Sequence, residues 1–351
     1  MVKYVISLIF FISLGGLMGF LLARPSLPTV LFLTLQGTVT SLNLADNDIY
    51  MTVRSQPQGS PFIALNSNSY TEIVKISKTN FFSKKDKFEI IARVQGAIMA
   101  STISHDRNEL YFFLKKLDGE KIKHYSCKLD IKTDSISIIS DYNTSGNRLK
   151  DVEGKYLIDL DDVYASTSRD RGKTWHRILG EKVGKRSVAF EDGDIYYMLD
   201  NKIFKIAKEA IINGTFYEEQ RFKLEPDLVA GHLFVDMDKN IYVSAHKNKK
   251  YYIVNVGNGD ILPVSKSAIN KKYVKTKLIF KYKQDFYCIF WAADSPSATE
   301  ARILKITGNS ILETESYSRS PIFLGTLDDY LIFNLDVIYK QKSYILGIEY
   351  K

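Results

Sequence analysis

The sequence predicts an all-β chain folded as a single β-propeller behind one N-terminal transmembrane helix, and three observations predict it. A turn-and-strand unit recurs along most of the 351 residues. Strand-forming residues abound, with 22 Tyr and 20 Phe against only 8 Pro. Residues 4–23 carry no charge at all. The length exceeds that of a usual single domain, yet radially repeated β architectures reach it as one unit, so two domains are not required.

Taken in order, the apolar run from Tyr4 to Ala23 is long enough, as a helix, to cross a hydrocarbon core of ~30 Å. A cleavable signal has a shorter apolar region and a small-x-small site. Here Leu21 stands at the third position before a cut after Ala23, which favours an uncleaved anchor over a cleaved signal peptide. Residues 1–24 are accordingly read as a signal anchor, 25–28 as a linker and 29–351 as the propeller. No cysteine follows the run, so it is not a lipoprotein anchor. Lys3 on one side and Arg24 on the other give a weak charge bias that places the body outside the cytoplasm, on a periplasmic or extracellular side. Gly15 and Gly19 have the spacing of a helix-pairing face. Pro25 and Pro28 end the helix and stiffen the spacer.

Past residue 28, only two short stretches, 206–213 and 266–272, have helical periodicity. What recurs is an acidic or Asn-containing turn followed by a strand that opens with an aliphatic–aromatic pair, as in Asp46-Asn47-Asp48-Ile49-Tyr50 or Asp192-Gly193-Asp194-Ile195-Tyr196. The markers are Ile49, Leu110, Val163, Ile195, Ile241, Phe286 and Leu331, which span 282 residues in six intervals, a mean of 47. Blades of four short strands repeat at about 40–50 residues. Seven blades are expected, and the irregular first intervals leave six to eight open. Residues 29–35 and 343–350 are both strand-like, and we expect them to meet in one blade, since an open ring would leave two bare sheet edges.

One turn is more elaborate than the rest. In Ser168-Arg169-Asp170-Arg171-Gly172-Lys173-Thr174-Trp175, Ser and Asp side chains can bond turn N–H groups, Gly172 can take positive φ, and Thr174-Trp175 restarts a strand. The segment matches S-x-D-x-G-x-T-W at Ser168, Asp170, Gly172, Thr174 and Trp175, and so resembles the Asp box of the sialidase-type (BNR-repeat) β-propellers. The resemblance implies a propeller fold and a structural role for the box, away from the substrate face. It does not imply sialidase activity. Sialidases bind the substrate carboxylate with three arginines, the first in an Arg-Ile-Pro motif, and use a Tyr–Glu nucleophile and an Asp. Here Arg54 is followed by Ser55-Gln56-Pro57, and no pattern around Arg186, Arg221 or Arg319 completes a cluster.

Other chemistry is as poorly supported. Glu218-Glu219 and Glu313-x-Glu315 are close acid pairs, but acids in turns and strand edges are ordinarily solvated. His105, His124, His176, His232 and His246 lack metal-ligand spacing, and there is no nucleophile elbow, P-loop, dinucleotide fingerprint or EF-hand loop, so no cofactor is expected. Cys127 and Cys288 fall in units far apart around a ring and are expected to be free and buried. The 48 basic residues, 36 of them lysine, give a net charge of +8. They are scattered among hairpin tips such as 84–87 and 247–250, which argues against nucleic acid and fits an acidic partner. The expected function is a non-catalytic, membrane-tethered binding module for a protein or an acidic glycan, in one version an immunity-type protein that neutralises a toxic enzyme. The alternative is a sialidase-like or other propeller glycoside hydrolase or lyase.

Overall fold

The computed structural model describes residues 26–351 apart from 56–68, 143–147, 162–163, 180–187, 237, 249, 265–273, 296–297, 309, 316, 318–320 and 338–341. Its strands form seven four-stranded antiparallel sheets. In chain order these are β2–β5 (Thr38–Ala45, Asp48–Arg54, Tyr70–Ser77, Glu89–Gln95) and β6–β9 (Ala97–Ile103, Glu109–Asp118, Lys121–Asp130, Ser135–Asp141). Next come β10–β13 (Arg148–Val152, Tyr156–Asp161, Tyr164–Ser168, His176–Leu179) and β14–β17 (Val188–Glu191, Asp194–Leu199, Lys202–Ile206, Glu219–Lys223). They are followed by β18–β21 (Val229–Val235, Ile241–Lys247, Lys250–Asn255, Ile261–Val264) and β22–β25 (Val274–Tyr282, Asp285–Ser295, Ala298–Thr307, Ser310–Glu313). The seventh holds β26–β28 (Ile322–Leu327, Tyr330–Val337, Lys342–Glu349) with β1 (Val30–Gln36) as its outer strand. Short helices α1 (Lys78–Phe82) and α2 (Lys208–Asn213) join third to fourth strands in the first and fourth sheets.

The first strands touch in succession, β2 with β6, β6 with β10, β14 with β18, β18 with β22 and β26 with β2, and so form the inner ring around an axis. The chain ends meet as expected: β1 runs antiparallel to β28, with Val30 opposite Gly347 and Gln36 opposite Lys342. A side chain at Gly347 would collide with the Phe32 ring, its Cβ falling 2.2 Å from that ring, so the bare backbone there lets Phe32 cross the closing sheet.

Seven hydrophobic clusters lie one to each seam between blades, and they explain the recurring pair. A second strand is covered on both faces, so consecutive residues are both apolar. Ile195 packs in the seam with the blade before it and Tyr196 in the seam with the blade after; Leu110 and Tyr111 divide in the same way, as do Phe286 and Tyr287. Burial on both faces thus replaces the one-sided alternation of an open sheet.

The expected third marker is displaced. Val163 lies outside the described residues and Tyr164 opens β12, a third strand; the position equivalent to Ile49 is Leu157 on β11, after the turn at Glu153-Gly154. That turn lacks the paired acids of Asp161-Asp162, which drew the pattern one strand too far. The elaborate turn accordingly joins the third and fourth strands of its blade, β12 and β13. The stretch 206–213 contains α2, whereas 266–272 lies largely outside the described residues and the apolar run 4–23 wholly so. Among the described residues no helix is long and apolar enough to cross a membrane.

The first-to-second-strand turns all lie at one end of the ring. Each contains a non-glycine residue at positive φ: Asp46, Arg107, Glu153, Asp192, Lys239, Lys283 and Asp328. Polar contacts around these turns lace neighbouring blades together. Lys78 meets Asp328 at 2.6 Å, Arg107 meets Asp46, and the His105 N–H donates to Asp151 at 2.7 Å. Lys208 meets Glu153, Lys239 meets Asp192 at 2.7 Å and Lys281 meets buried Asp236 at 3.2 Å. The remaining seam is closed by the Tyr282 and Tyr350 rings, 5.1 Å apart.

Candidate functional site

The β12–β13 turn is built by its side chains. Ser168 Oγ donates to Asp170 Oδ1 and accepts from the Gly172 N–H, each at 2.8 Å. Asp170 also accepts from the Thr174 N–H at 2.8 Å and from Thr174 Oγ1 at 2.5 Å. These bonds hold the Asp170 carboxyl below its ordinary range, although burial works against them. Gly172 has φ +90°, and a Cβ there would fall 2.6 Å from Ser126 Oγ. The Trp175 indole donates to the Gly172 carbonyl at 3.2 Å and stacks on Tyr142 at 4.5 Å. Arg171 reaches the Tyr111 hydroxyl in the preceding blade at 3.1 Å, and Arg169 reaches the Ile212 carbonyl in the following one at 3.2 Å. Asp170 is thus occupied with turn and hydroxyl donors, and the hairpin ties three blades together.

Tyrosine–acid–lysine groups recur in four blades and superficially suggest chemistry. Tyr50, Tyr111, Tyr196 and Tyr287 each stand two residues after an acid and directly opposite a lysine on the third strand. Lys75 pairs with Asp48 at 3.1 Å, Lys205 with Asp194 at 2.6 Å, Lys305 with Asp285 at 2.8 Å, and Lys128 with Glu109. Burial raises all four phenols, Tyr111 to about 12, which is the wrong direction for a base or nucleophile. These groups are seam fillers. The acid-x-Tyr spacing was visible in the sequence; the lysine across the hairpin needed the register.

The inner strands offer a different surface. Between the first two blades, Ser41 and Ser101 hydroxyls lie 2.5 Å apart, Asn43 Nδ2 donates to Ser101 Oγ at 2.7 Å, and Thr40 Oγ1 donates to the Ile98 carbonyl at 3.2 Å. Between the third and fourth blades the inner strands β10 and β14 carry Arg148, Lys150 and Glu191. Arg148 donates to the Val188 carbonyl across that seam at 3.1 Å. Lys150 is reached by solvent, yet enclosure by surrounding protein, and after it the neighbouring Arg148 cation, pushes its ammonium down, against the pull of Glu191. Among the described residues Lys150 has no ion pair. Glu191 moves the other way, raised chiefly by burial and then by Asp192. A desolvated cation beside a second cation suits an anionic group on a polar ligand.

The residues singled out from the sequence do not converge. Arg54 is buried on β3 and Arg221 is exposed on the outer strand β17, where it pairs with Glu219 at 2.8 Å; Arg186 and Arg319 lie outside the described residues. Glu218 and Glu219 are exposed, and Glu313 is held by Arg302 at 2.9 Å, so neither acid pair faces a cleft as a catalytic couple. No group of histidine, cysteine and acid side chains able to hold a metal occurs among the described residues. Cys127 and Cys288 are free and buried, and burial raises both thiols, Cys127 to about 12. Lys150 and Arg148 were missed because scattered charge hides which lysines the inner strands gather.

Seven four-stranded blades whose first strands meet around an axis, and a ring closed by β1 on β28, define a seven-bladed β-propeller. No protein-family model and no curated protein matches the chain. Solved structures do: virginiamycin B lyase from Staphylococcus aureus with quinupristin has a TM-score of 0.51 at 15% identity, over 91% of this chain and 99% of that one. An ulvan lyase, a polysaccharide lyase bound to -[GlcA(1-4)Rha3S]-, has 0.52 at 8% identity, over 92% and 96%. The N-terminal domain of Nup159 has 0.50 at 10% identity, over 93% and 99%. At such identities the likeness is one of fold.

Proposed function

We propose that this propeller is a membrane-tethered, extracytoplasmic binding module whose channel receives an acidic partner, an acidic glycan first of all. The observation that carries the reading is Lys150, a solvent-reached, desolvated cation without an ion pair among the described residues, set beside Arg148 on the inner ring. The Lys150 ammonium and the Arg148 guanidinium two residues before it are donors suited to the carboxylates of an acidic sugar. The apolar run at 4–23 supports the tether, and the net charge of +8 supports an acidic partner. The fold itself does not decide between binding and catalysis, since lyases and the N-terminal domain of Nup159 share it.

Calorimetric titration of the full chain in nanodiscs with oligogalacturonate and with neutral maltohexaose tests the reading. Oligogalacturonate should bind, maltohexaose should not, and Arg148→Glu with Lys150→Glu should weaken binding at least about tenfold. Equal binding of both sugars, or indifference to the double variant, rejects the glycan reading. Appearance of unsaturated, ultraviolet-absorbing ends in the acidic sugar would favour a lyase.

A further inference from the structure

We propose that the exposed segment 84–90, the loop after α1 with the first residues of β5, and Leu31 beside it, is the face that the propeller lays on an anionic phospholipid bilayer; this rests on the tethered reading above. Only Arg24 and Pro25 separate the apolar run from the body. Ser26 already bridges Glu313, and Leu27 is buried, with its N–H donating to the Glu313 carbonyl at 2.9 Å. Three residues reach about 10 Å, so a helix over 4–23 holds the side where the chain enters against the headgroups.

That side is where β1 begins. Leu31 on β1 is 45% exposed, and α1 touches β1 through Phe81 and Phe82, whose rings lie 4.9 and 5.5 Å from that of Phe32. Every residue of 83–90, just past α1, is exposed, among them Phe88 at 38% and Ile90 at 47%. Lys84, Lys85 and Lys87 make no ion pair among the described residues, whereas Lys75 and Lys78 nearby pair with Asp48 and Asp328. Two acids share the loop. Asp86 and Glu89 offset part of the charge of Lys84, Lys85 and Lys87 and leave the segment with a net positive charge. Exposed apolar side chains flanked by long cationic ones are the composition of a surface that rests in the headgroup layer.

The test places an environment-sensitive thiol label at Ser83→Cys in the full chain, where the two buried native cysteines do not compete. The chain is reconstituted in vesicles of phosphatidylcholine alone or mixed with phosphatidylglycerol. Acrylamide should quench the label at least about threefold less in the anionic vesicles, and Lys84→Glu, Lys85→Glu and Lys87→Glu together should abolish the difference, each lysine being worth about a fivefold bias. Phe88→Ser with Ile90→Ser should also restore quenching. Equal quenching in both vesicles overturns the proposal. So does shielding that persists in detergent and grows with protein concentration, which would assign the loop to a second copy. Alkaline extraction separates the two readings: a chain released from the membrane whose label anionic lipid still shields loses the tether but keeps the lipid face. A retained chain with an exposed label does the reverse.

Discussion

At the scale of single residues, Asp170 shows how much a turn can owe to one side chain. It accepts from Thr174 twice and from Ser168, and no neighbouring group can replace those bonds because the hairpin has no other carboxylate. Asp170→Ala should lower stability by about 2 kcal/mol, the scale of several hydrogen bonds lost to an ionised acceptor. Urea unfolding of the variant is the check, and an unchanged midpoint would mean that the indole stack on Tyr142 holds the hairpin unaided. This turn was readable in the sequence because all its partners lie within eight residues. Local chemistry is written locally.

Elements are legible to the extent that their environment repeats. The second strands announced themselves because each is covered on two faces, which demands two consecutive apolar residues, often an aliphatic and then an aromatic one, as at Ile195 and Tyr196. In the third blade Leu157 and Ile158 fill the same places, but without an aromatic or an acid pair the strand was passed over. Contacts between elements were not legible, since Lys281 and Asp236 are 45 residues apart and belong to different blades. That pair differs from the others of the lacing. Asp236 is buried at 2% exposure and Lys281 is largely covered, while Lys239 and Asp192 stand in water. Removing one partner of a covered pair leaves a charge without solvent, although the Asp238 and Asn240 N–H groups soften the loss at Asp236. Lys281→Ala should therefore destabilise by about 2 kcal/mol, and Lys239→Ala should leave the thermal midpoint nearly unchanged. Equal effects from the two would show that burial does not rank these contacts.

For the whole molecule, closure converts these contacts into one property, because a ring opens only when some seam parts. Its acid response follows from the carboxylates at and near the seams. Asp106, bonded first by Ser104, and Glu153, bonded first by Lys208, each titrate at about 2, and Asp192, Asp227 and Asp170 are also held low. An unfolded chain takes up protons on such groups near pH 4, before the folded one does. The stability they add is therefore whole above about pH 5 and drains away as pH falls toward 2. Glu191, raised by burial, acts in the opposite sense, but it is one group against several. Lysines 205, 208, 239 and 281 titrate higher in the fold, so their contribution is complete below pH ~10 and is lost above it. The melting temperature should thus fall below about pH 5 and above about pH 10, with Lys150, held low by its enclosure, acting in the opposite sense on the alkaline side, and with the acid limb shallower at ~1 M salt, where exposed pairs are already screened. A melting temperature that rises between pH 5 and 3 would show that buried acids such as Glu191, and not the lacing, govern how the ring responds to protons.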